Sequence, residues 1–297
     1  MSLRLTLSSV EGLTEEDMTV VLAVVILAVL GVLLGLGLAV ASRAFHVKTD
    51  ERIEAVDAAL PQVNCGACGY AGCHPYAEAV VNEGVAANLC VPGGRETAQA
   101  VAGIMGVEFE ETVPMRAYVH CQGGRVEAVE AFHYDGVTDC RAAALVHGGP
   151  KACKYGCLGF GTCRKVCPFG AITMNDNGLP VVDHVKCTGC GVCVRACPVH
   201  IIELLPLGTK VILGCSNRDR GAAVKKICSV GCISCMICAK VTPSGAIAME
   251  KGESLPTVRY DVVDETFEKA MEKCPMHCYA RIDVPAEALE AHEPVAV

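Results

Sequence analysis

The chain of 297 residues has no tryptophan, and aromatic residues make up only 4% of it. Large aromatic cores are thereby excluded, so a folded body needs some other source of stability. Basic residues do not predominate: 25 Lys and Arg stand against 33 Asp and Glu, for a formal net charge of −8. A nucleic-acid partner calls for a clustered cationic surface, and none is expected. No glycine-rich dinucleotide fingerprint follows a strand-like run, and no P-loop motif occurs. Neither NAD nor flavin is therefore expected to bind this chain directly. His74, His120, His133, His147, His184, His200 and His277 show no paired metal spacing and read as surface or hydrogen-bonded residues. No catalytic residue is nominated.

What the chain does have is 21 cysteines, 17 of them in three groups. The middle group runs Cys153-x3-Cys157-x5-Cys163-x3-Cys167-Pro168, then Cys187-x2-Cys190-x2-Cys193-x3-Cys197-Pro198. Its second half is the bacterial ferredoxin run, in which three cysteines hold one 4Fe–4S cluster and the fourth ligates the neighbouring one. Thiolates are soft ligands that suit iron–sulfur clusters and zinc. Two interlocked sets, each closed by Cys-Pro, favour clusters over separate zinc knuckles. Cysteines at ligand spacings in a long chain point to a reducing compartment rather than to secreted disulfides. Cluster binding would also supply folding free energy that an aromatic core cannot.

The first group is Asn64-Cys65-Gly66-Ala67-Cys68-Gly69-Tyr70-Ala71-Gly72-Cys73, with Cys90 17 residues further on. Three ligands on a glycine-rich loop let backbone N–H groups approach cluster sulfurs. The fourth returns after a helix expected over 75–83. Zinc stays open for this group, because its spacing lacks the Cys-Pro signature.

From Cys140 onward the chain repeats with an offset of 75 residues. Cys140, Cys153, Cys157 and Cys163 fall on Cys215, Cys228, Cys232 and Cys238, and with two more residues Cys197-Pro198 falls on Cys274-Pro275. In the first repeat Phe160 stands where a ferredoxin ligand is due, and Cys153 is the expected replacement. The expected sets are then Cys153, Cys157, Cys163 and Cys197, and Cys167, Cys187, Cys190 and Cys193. In the second repeat Cys232, Cys235, Cys238 and Cys274 form one set, while Thr242, Asp264, Phe267 and Ala270 occupy all four positions of its neighbour. Iron is thus expected on 16 cysteines in four 4Fe–4S clusters. Cys121, Cys140, Cys215, Cys228 and Cys278 are without a role; Cys278 falls on Ile201 and reads as a buried apolar residue.

Residues 18–41 contain no charged residue and as a helix would span roughly 36 Å, enough to cross a bilayer. Glu11, Glu15, Glu16 and Asp17 precede the run; Arg43, His46 and Lys48 follow it. The positive-inside rule puts the C-terminal body in the cytoplasm. Ala39-Val40-Ala41 resembles a signal-peptidase site, but the run is too long for a signal peptide and its leading flank is acidic.

The apolar anchor, the Asn-Cys-Gly-Ala-Cys-Gly loop, Asp139-Cys140-Arg141-Ala142-Ala143, the stretch from Gly148-Gly149-Pro150 through Cys157-Leu158-Gly159, and the tandem ferredoxin runs occur in this order. Together they resemble the longer form of the B subunit of Rnf electron-transport complexes over nearly the whole chain. The four-cysteine loop resembles a domain shared with corrinoid iron–sulfur proteins. The resemblance implies a single-pass protein of the inner (cytoplasmic) membrane that takes electrons from soluble ferredoxin. It would pass them to other Rnf-type membrane subunits, which reduce NAD⁺ and pump Na⁺ or H⁺. A related SoxR-reducing complex uses similar parts, so donation to a cytoplasmic reductase is one alternative and a metal-stabilised scaffold another. The vacated set in the second repeat departs from long forms with a full complement.

The expected fold class is α+β: one transmembrane helix, a four-cysteine 4Fe–4S domain and two tandem ferredoxin-like domains. The expected limits are an extension (1–17), the transmembrane helix (18–41), a linker (42–57), the four-cysteine domain (58–112) and a connecting region (113–147). A two-cluster ferredoxin-like domain (148–212), a degenerate one-cluster domain (213–284) and an acidic, solvated tail (285–297) complete the chain.

Overall fold

The computed structural model describes residues 15–44, 50–108, 113–242, 244–260, 262 and 266–290. It divides into two units, Met1–Asp50 and Glu51–Val297. The first holds helix α1 (Glu15–Ala44). Within its stretch Thr19–Ala44, an 18-residue window has a mean hydropathy of 3.0, and none of that window is buried. A helix apolar on every side has no face to turn to water, and this one is long enough to cross a membrane. Glu11, His46 and Lys48 lie outside the described residues.

The second unit begins with three helices, α2 (Glu51–Ala59), α3 (Cys73–Glu83) and α4 (Gly94–Met105), the last entered through a 3₁₀ turn at Val91–Gly93. Ile53 and Val56 recur on one face of α2 and, with Leu60, pack on Tyr76, Val80 and Val101. Residues 51–57, expected in a linker, therefore belong to the core of the four-cysteine domain. Helices α3 and α4 both stop at a glycine in the left-handed region, Gly84 (φ 69°) and Gly106 (φ 68°).

The remainder uses one strand pattern twice. In the first pass β1 (Met115–Val119) pairs antiparallel with β4 (Ile202–Pro206), enclosing the hairpin β2 (Ile172–Met174) and β3 (Pro180–Val182). In the second, β5 (Val211–Leu213) pairs with β8 (Tyr279–Arg281), enclosing β6 (Ile247–Ala248) and β7 (Thr257–Val258). Helices α5 (Cys140–Ala144), α6 (Thr162–Lys165) and α7 (Val192–Ala196) belong to the first pass. Helices α8 (Ala222–Ile227), α9 (Ile237–Val241) and α10 (Thr266–Lys273) belong to the second. The last helix, α11 (Ala286–Glu290), buries Ala288, so the start of the expected solvated tail packs on the body; residues 291–297 lie outside the described residues.

Backbone details repeat as well. His200 (φ 51°) and His277 (φ 48°) each follow Cys-Pro-x, and their N–H groups return to the carbonyls of Cys197 and Cys274. Gly170 and Gly245 likewise return to Cys167 and Thr242, which sets Thr242 in the place of a cysteine. The strands correct one expected equivalence. Cys121 lies two residues beyond β1 and Cys215 two beyond β5. The Cys121 thiol accepts the N–H of Cys157 at 3.3 Å and the Cys215 thiol that of Cys232 at 3.2 Å. Cys215 therefore corresponds to Cys121, not to Cys140. The offset of 75 obscures this because 31 residues separate Cys121 from Cys153 while only 12 separate Cys215 from Cys228. The additional residues carry α5.

Asp139 fastens that insertion. Its carboxylate accepts the N–H groups of Arg141 (2.8 Å) and Ala142 (3.3 Å) at the start of α5 and the Thr162 hydroxyl at 2.8 Å; Thr162 Oγ1 accepts the Cys140 N–H at 2.7 Å. The Thr162 hydroxyl and these N–H groups hold the carboxyl below its ordinary range. Replacing Asp139 with Ala is expected to cost about 1 kcal/mol through loss of the cap. A thermal melt of the full chain should show a drop of about 2–4 °C, and Asp139→Asn should recover most of it.

Candidate iron–sulfur sites

The cysteines gather into groups whose thiols are buried together. Burial pushes the Cys90 thiol up to about 11, and Cys73, Cys65 and Cys68 add to the push as neighbouring anions. Asn64, itself at φ 51°, accepts the Cys73 N–H at 2.8 Å and closes the loop. A Cβ on Gly72 would sit 2.7 Å from the Asn64 side-chain oxygen, so only glycine fits there. All four expected residues of this group are brought together, with Cys73 opening α3, whose positive end faces negative charge well.

Cys167, Cys187, Cys190 and Cys193 also converge. Burial pushes Cys193 up to about 12, with Cys187, Cys190, Cys163 and Cys167 contributing. The loop needs its glycines: Gly189 has φ 75°, and a Cβ there would lie 2.3 Å from the Met115 carbonyl oxygen. Cys65 is among the neighbours that raise Cys190, and Arg195 donates to the Cys65 carbonyl at 3.1 Å. The first two groups thus adjoin.

The third group differs from expectation. Cys157, Cys163, Cys197 and Cys140 line one cavity. Cys163, pushed up to about 11 by burial, has Cys140 and Cys197 as its charged neighbours. Cys153, expected to complete this set, instead lines a separate cavity with Cys121, Cys215 and Cys228. The reason is geometric: the Asp139 and Thr162 contacts fix Cys140 beside α6, while the chain at Cys153 turns toward the second repeat. Spacing alone could not reveal this. A usable signal is that His120-Cys121 and Gly214-Cys215 each follow a short apolar run at the end of a strand.

The last group, Cys232, Cys235, Cys238 and Cys274, lines one further cavity together. Cys278 lines it too. It is buried, and its thiol is shared between Cys232 and Cys274; that sharing holds Cys278 protonated and brings Cys274 down to about 5 and Cys232 to about 7. As expected from its match with Ile201, Cys278 lies in the core with Ile247, Phe267 and Ala270, and its carbonyl accepts the Gly214 N–H as that of Ile201 accepts the His120 N–H; its own N–H also reaches Cys274 Sγ at 3.4 Å. Among the described residues, no group of three or more Cys, His, Asp or Glu side chains closes around one point tightly enough for a single metal ion.

In the second repeat, Thr242, Phe267 and Ala270 are buried, and Phe267 and Ala270 pack in one core with Cys238 and Cys274. Thr242 donates its hydroxyl to the Cys238 carbonyl at 3.0 Å. Asp264 lies outside the described residues. The positions of Gly189 and Gly191 are held here by Thr266 and Glu268, and α10 begins at Thr266, so helix replaces the ligand loop.

Two family models match. One described as a putative Fe–S cluster covers residues 60–92, and one described as a 4Fe–4S dicluster domain covers residues 152–202. The fold is thus a mixed helix and strand body with 4Fe–4S ferredoxin-type domains behind an N-terminal apolar helix. Among curated proteins, the B subunit of the proton-translocating ferredoxin:NAD(+) oxidoreductase complex of Clostridium ljungdahlii is 49% identical over 215 residues, 72% of this chain and 76% of the relative. The B subunit of the Na(+)-translocating complex of Acetobacterium woodii is 43% identical over 253 residues, 85% of this chain and 75% of the relative. The B subunit of the ion-translocating oxidoreductase complex of Methanosarcina acetivorans is 40% identical over 225 residues, 76% of this chain and 85% of the relative. With identity at this level over most of each relative, the chain belongs to the family of B subunits of ion-translocating ferredoxin:NAD⁺ oxidoreductase (Rnf) complexes.

Proposed function

We propose that this chain is the electron-input subunit of an ion-translocating complex, taking electrons from reduced ferredoxin at the cytoplasmic face and passing them to the membrane subunits. A 4Fe–4S cluster, when bound, takes up and releases a single electron. The ligand sets proposed are Cys65, Cys68, Cys73 and Cys90; Cys167, Cys187, Cys190 and Cys193; Cys157, Cys163 and Cys197 with Cys140; and Cys232, Cys235, Cys238 and Cys274. The observation that carries this reading is the adjacency of the sets: Arg195, two residues beyond Cys193, donates to the Cys65 carbonyl at 3.1 Å, and Cys163 shares one core with Cys187 and Cys193. The side chains exclude water around the thiols, and loop N–H groups aim at the sulfurs. Two tandem ferredoxin-like domains, the second with its outer ligand loop replaced by α10, form the body. The relatives are named for both protons and Na⁺, so the pumped ion belongs to the partner subunits. The acidic balance of the chain suits a basic surface on a partner.

Cys190→Ala removes a ligand next to the four-cysteine domain. Membranes carrying it should lose ferredoxin-driven NAD⁺ reduction while the chain stays membrane-bound on immunoblots. Full turnover with that cluster absent from the EPR spectrum would refute the reading. For the anchor, a reporter fused after Val297 should be active only in its cytoplasmic form; activity of a periplasmic reporter would reverse the orientation. Thr242→Cys should add no iron to the purified protein, since helix and Phe267 still occupy the ligand loop's place.

A further inference from the structure

We propose that Cys121, Cys153, Cys215 and Cys228 form a fifth 4Fe–4S site, built half by each repeat. The inference rests on the reading above, in that it adds a centre to the same wire. Its four thiols line one cavity, separate from those at the third and last sets.

The site is symmetric. Cys121 and Cys215 follow equivalent strands, and Cys153 and Cys228 stand four residues before the equivalent Cys157 and Cys232. Each repeat therefore supplies the same two residues. The halves are held together by backbone bonds that cross between repeats: Gln122 N–H to Gly214 (3.0 Å), Val129 N–H to Ile227 (2.9 Å) and Ser229 N–H to Glu127 (3.0 Å).

The surroundings suit anionic sulfur. The Cys121 and Cys215 thiols accept the N–H groups of Cys157 and Cys232. Asn217, only 2% exposed, donates its side-chain N–H to Cys153 Sγ at 3.4 Å and its backbone N–H to Cys215 Sγ at 3.5 Å. Such donors favour the thiolate and set cluster potential. Lys151 is buried, bonds the Gly123 carbonyl through Nζ at 2.6 Å, and is a favourable positive neighbour of both Cys157 and Cys228. Side chains are kept clear: a Cβ on Gly123 would lie 3.0 Å from Cys228 Sγ and one on Gly156 3.4 Å from Cys153 Sγ. Buried thiols in isolated positions need none of this.

Transfer of a preassembled core from a thiolate-ligated donor forms four iron–thiolate bonds here, breaks the four that held the core to its donor, and passes the four S–H protons to the released donor thiolates; no oxidant or reductant is consumed. The place matters for the wire. Cys121 touches the Cys157 backbone and Cys215 touches the Cys232 backbone. The fifth site therefore lies between the third set and the last, joining the second repeat to the rest.

The test is native mass spectrometry of the full chain, purified anaerobically in detergent, with iron, sulfide and zinc assayed in parallel. Wild type should carry five cores, about 20 iron atoms per chain rather than about 16. Cys228→Ser and Cys121→Ser should each carry one core fewer and lose one EPR signal after dithionite reduction, with the other signals unchanged. Four cores in wild type would overturn the fifth site and leave the proposed function intact, as would one zinc ion that disappears in Cys228→Ser. Five cores in both wild type and Cys228→Ser would overturn the location. No iron at all in wild type would overturn the proposed function itself. The wild-type count stands even if a serine variant fails to fold.

Discussion

Taking a thiolate out of water is unfavourable unless positive charge goes with it, and this chain folds around thiols buried in groups. Its other means of cohesion are slight. Each sheet has two strands, and several helices in the repeats are only four to six residues long, below what stands alone in water. Cysteines belong to the cores of both repeats, beside Ile172, Ile201 and Ile202 in one and Ile247 and Phe267 in the other. Iron would replace the protons that burial otherwise keeps on these sulfurs, so cluster insertion and folding become one event. The short elements, the left-handed glycines and the inward N–H groups all follow from bringing backbone close to sulfur.

Much of this is legible in the sequence, and the exceptions have physical causes. The Cys-Pro runs place ligands within single loops, where spacing along the chain is also spacing in space, and those groups converge as expected. The charge-free run forms one helix. The third ligand set departs from its expected membership because Cys140 reaches its place through the Asp139 and Thr162 contacts, and Cys153 leaves through a turn toward another repeat. Neither is encoded in a count of intervening residues. The same insertion hides the match of Cys121 with Cys215. The domain to which α2 belongs is hidden for a different reason: residues 52–60 are amphipathic in sequence, but what covers Ile53 and Val56 is Tyr76 and Val101, well further along the chain.

The vacated loop in the second repeat shows how a ligand site is closed rather than merely lost. A four-thiolate loop needs residues in the left-handed region, supplied in the first repeat by Gly189 and Gly191. Ser234 (φ 58°) and Met236 (φ 61°) hold the same conformation without glycine in the Cys232 loop, so residue type alone does not close a site; here Thr266 and Glu268 lie within the helix that begins at Thr266. Phe267 and Ala270 then turn inward as ordinary core residues. Restoring thiols would not restore the loop, because the backbone that presented them is gone.

The paired origin of Cys121 with Cys153 and of Cys215 with Cys228 bears on the history of the chain. One repeat alone presents two thiols to an open face, which is half of a ligand set and of no use to a solitary copy. Two identical copies meeting about a twofold axis would complete it. A single-repeat ancestor that associated with itself would thus have had a shared centre at its interface before its gene was doubled and fused. The two copies differ now in two places: the first carries the segment with Cys140, and the second has α10 where the first has a ligand loop.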